Sequence, residues 1–176
     1  MTIKYHISSR IIHWLMALLI FGLLPIGIYM VYFLPEDAAN RLQIYSLHKS
    51  FGVAALILIF IRIFNYFLHK APKLPQGLPK IEKIASNIAH VTLYTLMIVI
   101  PISGYLMSNA YGFSVNLFTI PMPNLISSQP ETGAYLVRIH QYSAYAIIAV
   151  IGLHIGGTLK HRFFDKPEND VLKRML

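Results

Sequence analysis

The sequence contains no cysteine. That excludes disulfides, cysteine-held iron–sulfur clusters and covalent haem attachment through a CxxCH motif. No internal repeat divides the chain. No cleavable leader is read at its start, because the first apolar run is too long for a signal h-region and carries a histidine; it is expected to persist as a membrane span. The net charge is +8, yet Lys and Arg flank apolar runs and build no aromatic-interleaved basic surface, so nucleic acid is not an expected partner. What is present is apolar. The 176 residues are 56% hydrophobic with a mean hydropathy of +0.56, which places the chain in the membrane class. Tyr and Phe are numerous, as expected where rings sit at bilayer interfaces.

Windows of about 20 apolar residues define four spans, at about 10–33, 45–68, 84–107 and 134–159. Pro25 and Pro101 fall inside the first and third and are expected to kink them. The 69–83 link is a Pro-rich polar loop. The 108–133 link is the longest and could cap a site on its side. The expected fold class is all-α, a four-transmembrane-helix bundle with 1–176 as a single domain. On one side of the bilayer lie Lys4, Arg10, Lys70, Lys73, Lys80, Lys83, Lys160, Arg162, Lys166, Lys173 and Arg174; the other side has Arg41, Lys49 and Arg138, with Arg62 inside the second span. This asymmetry predicts that both termini are cytoplasmic.

Against that topology, His13, His48, His140 and His154 stand out. An imidazole in hydrocarbon is expensive without a partner, so each is a functional-site candidate. His140 and His154 are 14 residues apart in one span, about four turns and roughly 21 Å on one helix face. Sorting by depth puts His13 with His154 near the cytoplasmic side and His48 with His140 near the outer side. Two levels of two imidazoles suit two bis-histidine haems, non-covalently held. Inter-helix hydrogen bonding is the plain alternative for any single histidine, but it leaves the matched pairing unexplained. A closed zinc site would gather its ligands in one place.

Other residues fit the same geometry less specifically. Gly52 follows His48 by one turn, and Gly152, Gly156 and Gly157 surround His154; small residues admit either a flat macrocycle or close helix packing. Arg10 and Lys49 are equally candidates for haem propionates and ordinary snorkelling cations. Arg62 lies deeper, which favours a propionate or lipid-phosphate partner. His90 could compete with His13 as the partner of His154, assist a propionate or proton path, or simply bond another helix. Lys160 and His161 are candidate helpers for quinone protonation, against the reading of a headgroup-facing basic cluster. His6 and His69 read as solvated flank residues.

Certain strings carry a resemblance: Arg10-Ile11-Ile12-His13-Trp14, His48-Lys49-Ser50-Phe51-Gly52, Pro101-Ile102-Ser103-Gly104-Tyr105, His140 followed by Gly152-Leu153-His154, and the tail Leu159-Lys160-His161-Arg162-Phe163-Phe164-Asp165 with Val171-Leu172-Lys173-Arg174-Met175-Leu176. Over nearly the whole length the chain resembles the bacterial cytochrome b561 family, related to the cytochrome b subunits of hydrogenases and formate dehydrogenases. The resemblance implies two b haems, held by His13 with His154 and by His48 with His140, in the bacterial inner membrane. It implies an oxidoreductase role in electron transport or a respiratory chain, with ubiquinone or menaquinone as electron partner. The periplasmic donor is open, superoxide or another small molecule being candidates. A membrane-anchor subunit of a larger dehydrogenase would carry the same ligands, though no docking extension is read. A haem-free transporter is the reading from a different class. Small residues in the spans permit a homodimer.

Overall fold

The four apolar segments become four long helices in the computed structural model, which describes residues 4–176. They are α1 (Ile7–Tyr32), α2 (Arg41–Leu68), α3 (Lys80–Ala110) and α4 (Pro130–Phe163), of 26, 28, 31 and 34 residues. The shortest is about 39 Å long at 1.5 Å per residue, more than the ~30 Å hydrocarbon layer. All four are long and apolar enough to cross a membrane. Each extends three to four residues beyond the hydropathy window at one end or both, because the end turns are polar and are fixed by local chemistry. The His6 ring accepts from the Ser8 N–H at the start of α1. Pro130 opens α4, where a missing N–H costs nothing. Glu131 in its first turn and Lys160, His161 and Arg162 in its last complement the helix dipole. The helices α1 and α3 run unbroken through Pro25 and Pro101.

An even number of crossings returns the chain to its starting side. Tyr5 N–H donates to the Arg174 carbonyl at 3.0 Å. We call this the termini side and the opposite one the loop side. Large apolar side chains such as Leu18, Phe67 and Leu153 face outward, each more than 70% exposed, as lipid-facing positions require.

The buried centre is small. Met16, Ile59, Met97 and Ile147, one from each helix, form one cluster. Ile147 is midway between His140 and His154, so this cluster separates the two histidine levels. The helix α1 packs along α2, α2 along α3 and α3 along α4. The backbones of α1 and α2, by contrast, keep away from α4. The histidines occupy that gap.

The long loop-side link holds a two-residue antiparallel ladder, β1 (Asn116–Leu117) with β2 (Ile120–Pro121), which the hydropathy reading did not anticipate. Val115, beside it, is buried against Val53 and Tyr105. On the termini side the tail beyond α4 folds back as a strap of two short 3-10 turns, Pro167–Asn169 and Leu172–Arg174. Asp170 pairs with Arg162 and accepts from the Lys173 N–H at 3.1 Å. Arg174 donates to the Lys73 carbonyl at 2.7 Å, and Trp14 Nε1–H donates to the Met175 carbonyl at 2.9 Å.

Candidate functional site

The two pairs inferred from depth are brought together. The ring centroids of His13 and His154 are 6.4 Å apart, and those of His48 and His140 are also 6.4 Å apart. The interplanar angles are 67° and 76°. All four side chains project into the gap between α4 and the α1–α2 pair.

The surroundings of each ring decide which nitrogen is free. His140 Nδ1 lies 2.8 Å from the Ile100 carbonyl, which can only accept, so Nδ1 carries the hydrogen and Nε2 keeps its lone pair. Ser103 Oγ is 3.4 Å from the same nitrogen. His48 Nδ1 is buried with no hydrogen-bond partner. His13 Nδ1 is 3.0 Å from Arg62 Nη2, and Arg62 Nε donates to Tyr94 OH at 3.1 Å. His90 sits edge-on to His154, centroids 5.5 Å apart, with Ser86 Oγ 3.4 Å from its Nδ1. His154 thus has His13 facing it across the gap and His90 at closer range along α3.

The glycines divide by role. A Cβ built on Gly52, Gly152, Gly156 or Gly157 would meet nothing within 4 Å. Gly104 and Gly27 make room for ligand candidates. A Cβ there would lie 2.9 Å from His140 Cε1 and 3.4 Å from His48 Cε1, respectively. Neither was singled out for that role from sequence, since the pattern alone does not show which turn of α1 or α3 faces an imidazole.

Among the candidate cations, Lys49 Nζ donates to the Ser114 carbonyl at 2.7 Å and so braces the loop. Arg10 Nε is buried with no hydrogen-bond partner among the described residues. Of the outlying histidines, His6 is exposed as expected, while His69 is half-buried and His161 lies in a mixed-charge cluster. His6 and His69 stack face to face, with centroids 3.7 Å apart and planes 12° from parallel. His161 does not belong to a purely basic headgroup cluster. Its Nδ1 lies 2.6 Å from Asp165 and 3.8 Å from Glu82. Lys160 Nζ reaches Glu82 at 2.6 Å and Asp165 at 3.0 Å. The two carboxylates were missed because they come from the first turn of α3 and from beyond α4, far apart in sequence. Their His161-containing cluster has ligand atoms within 4.8 Å of one another, and the Lys160 ammonium already bridges the two carboxylates. Asp165 is held below the ordinary carboxylate range by its hydrogen bonds to His161 and then Lys160.

A four-helix membrane bundle with imidazole pairs stacked at two depths has the architecture of a membrane cytochrome. The comparisons with known proteins agree. Residues 4–176 match the family model described as prokaryotic cytochrome b561. The chain is 30% identical over 175 residues to cytochrome b561 homolog 2 of Escherichia coli (strain K12), covering 98% of this chain and 91% of that protein. The chain belongs to the prokaryotic cytochrome b561 family: it is a transmembrane b-type cytochrome of electron transfer, and the family implies b-type haem.

Proposed function

We propose that this single-domain chain binds two b haems, one between His13 and His154 and one between His48 and His140, and carries electrons across the bilayer between a small donor at the loop side and the quinone pool near the termini side. The observation that carries this reading is the equal 6.4 Å separation within both pairs. Two imidazoles that shared one metal ion, each at a bond of about 2 Å and with the nitrogen about 1.1 Å from the ring centre, would have centroids about 6.3 Å apart. His90, at 5.5 Å from His154, is too close to share an iron with it in that manner. The open space over Gly52 and Gly157, which lie one turn from His48 and His154 on the same helix faces, and the distance of α4 from α1 and α2 fit a flat macrocycle. If bound, a haem between His13 and His154 or between His48 and His140 would supply one-electron chemistry.

The chain's own residues do the rest. The Ile100 carbonyl fixes the tautomer and orientation of His140. Arg62 and, with its unpartnered buried Nε, Arg10 are suited to propionate carboxylates. The Lys160, His161, Glu82 and Asp165 cluster holds exchangeable protons on the termini side, where quinone reduction would consume them. The excess of basic residues on that side supports cytoplasmic termini in a bacterial inner membrane.

The test is a pyridine haemochrome assay with protein quantitation on detergent-purified protein. About two haem b per chain are expected. His140→Ala should remove mainly one haem and His154→Ala mainly the other. Two spectrally intact haems in either variant would refute the ligand assignment.

A further inference from the structure

The two histidine levels differ in charge. At the His13–His154 level, Arg62 reaches inward from α2 to within 3.0 Å of His13 Nδ1 and is held by Tyr94, whose hydroxyl accepts from Nε at 3.1 Å and whose ring lies 5.3 Å from the guanidinium. Among the described residues Arg62 makes no ion pair with a carboxylate. Among the described residues, no cation is recorded against either ring of the His48–His140 level. His140 faces a carbonyl, His48 Nδ1 has no hydrogen-bond partner, and Lys49 is turned to the loop at Ser114.

We infer that Arg62 makes the His13–His154 level the better electron acceptor of the two, so that electrons run downhill from the His48–His140 level to it. The inference rests on the two-haem reading above. Its physical basis is charge. An iron porphyrin core with two neutral imidazoles carries one positive charge when ferric and none when ferrous. A nearby guanidinium in a medium of low dielectric therefore disfavours the ferric state. The asymmetry comes from the protein's own charge at Arg62. The Ile100 carbonyl acts in the same sense at the other level. It accepts from His140 Nδ1–H, makes that imidazole a stronger donor and favours ferric iron there. One electron leaves a ferrous iron at the His48–His140 level and reduces a ferric iron at the His13–His154 level, and no proton is needed for the balance.

The Arg62–His13 contact has a further consequence. A guanidinium only donates, so the contact uses the Nδ1 lone pair of His13 and leaves hydrogen on Nε2. Iron on Nε2 demands the opposite tautomer. Arg62 must then turn from His13 to another acceptor, a haem propionate being the nearest in chemistry. The Nε–H bond to Tyr94 is separate from the His13 contact and would hold the guanidinium at this level.

The experiment is an optical redox titration of the purified two-haem protein, with His140→Ala and His154→Ala used to assign the two transitions. In the wild type the His13–His154 haem should have the higher midpoint. Arg62→Gln should lower that midpoint by about tenfold in the reduced-to-oxidised ratio at fixed potential, or ~59 mV for one electron, and leave the other haem in place. Arg62→Lys, which keeps the charge, should retain most of the native value. A reversed order in the wild type, an unchanged midpoint in Arg62→Gln, equal shifts at both levels, or the same shift in Arg62→Lys would each overturn the inference. The wild-type order decides even if Arg62→Gln fails to keep its haem. A wild-type haem count other than two counts instead against the two-haem reading.

Discussion

Gly104 of α3 and His140 of α4 approach so closely that a Cβ on the glycine would lie 2.9 Å from His140 Cε1 and 3.0 Å from its Nδ1. The imidazole cannot swing away freely, because Nδ1 is anchored to the Ile100 carbonyl at 2.8 Å. Gly104→Ala must therefore displace the ring, break that hydrogen bond or push α3 from α4. Overpacking of this kind costs about 1–3 kcal/mol. On the proposed two-haem reading, the expected outcome is loss of haem from the His48–His140 level with the other level spectrally unchanged, measured as haem per chain. Two haems with native midpoints would show that the glycine does not set the position of His140.

Much of this arrangement was legible in the residue pattern, and the reason is geometric. Hydropathy fixes the four spans, and depth along them is nearly linear in residue number. His13 and His154 had to fall at one level, and His48 and His140 at the other. What depth cannot give is azimuth. Gly104 and Gly27 acquire their roles only when the rotation of α3 and α1 is known. His90 looked equivalent to His13 in depth, and only its 5.5 Å approach to His154 separates them. Contacts between distant polar residues were equally hidden. Glu82 reaches Lys160 because the start of α3 and the end of α4 share the termini side. The short ladder at Asn116–Pro121 carries too little alternation to be seen against an uncharged loop.

That ladder is held by Ser50, which is 2% exposed. Its hydroxyl donates to the Asn116 carbonyl at 2.9 Å and accepts from the Phe118 N–H at 3.1 Å. Phe118 has φ of 56°, a left-handed conformation costing a non-glycine residue about 1–2 kcal/mol. The Ser50 bonds and the edge contact of Phe118 with Phe51, at 5.2 Å, offset that cost. Ser50→Ala leaves two partners unsatisfied, a loss of about 1–3 kcal/mol. Hydrogen exchange of the amides across 116–121 should accelerate about tenfold or more, while exchange in the helices stays native. Unaltered exchange in the loop would mean that Val115 and Tyr105 hold it without the serine.

The strap on the termini side should respond to acid. Burial pushes the Asp170 carboxyl up, but the Arg162 hydrogen bond, the Lys173 N–H and the two cations outweigh it and hold it below its ordinary value of 3.8. Asp165 is likewise depressed, by His161 and then Lys160. A carboxylate whose folded value is depressed contributes stability that is fully present above its unfolded value and is lost as pH falls through the folded one. The strap should therefore stay docked from neutral pH down to about pH 4 and detach below that. Trp14 is the only tryptophan, and its Nε1–H bonds the Met175 carbonyl at the strap's end, so its fluorescence reports docking. Asp170→Asn should loosen the strap at neutral pH, at a cost of about 1–2 kcal/mol, and weaken the acid transition to the part that Asp165 supplies. A Trp14 signal that is flat from pH 7 to pH 3 in the wild type, or an unchanged transition in Asp170→Asn, would show that the contacts of Arg174 and Met175 hold the strap without Asp170.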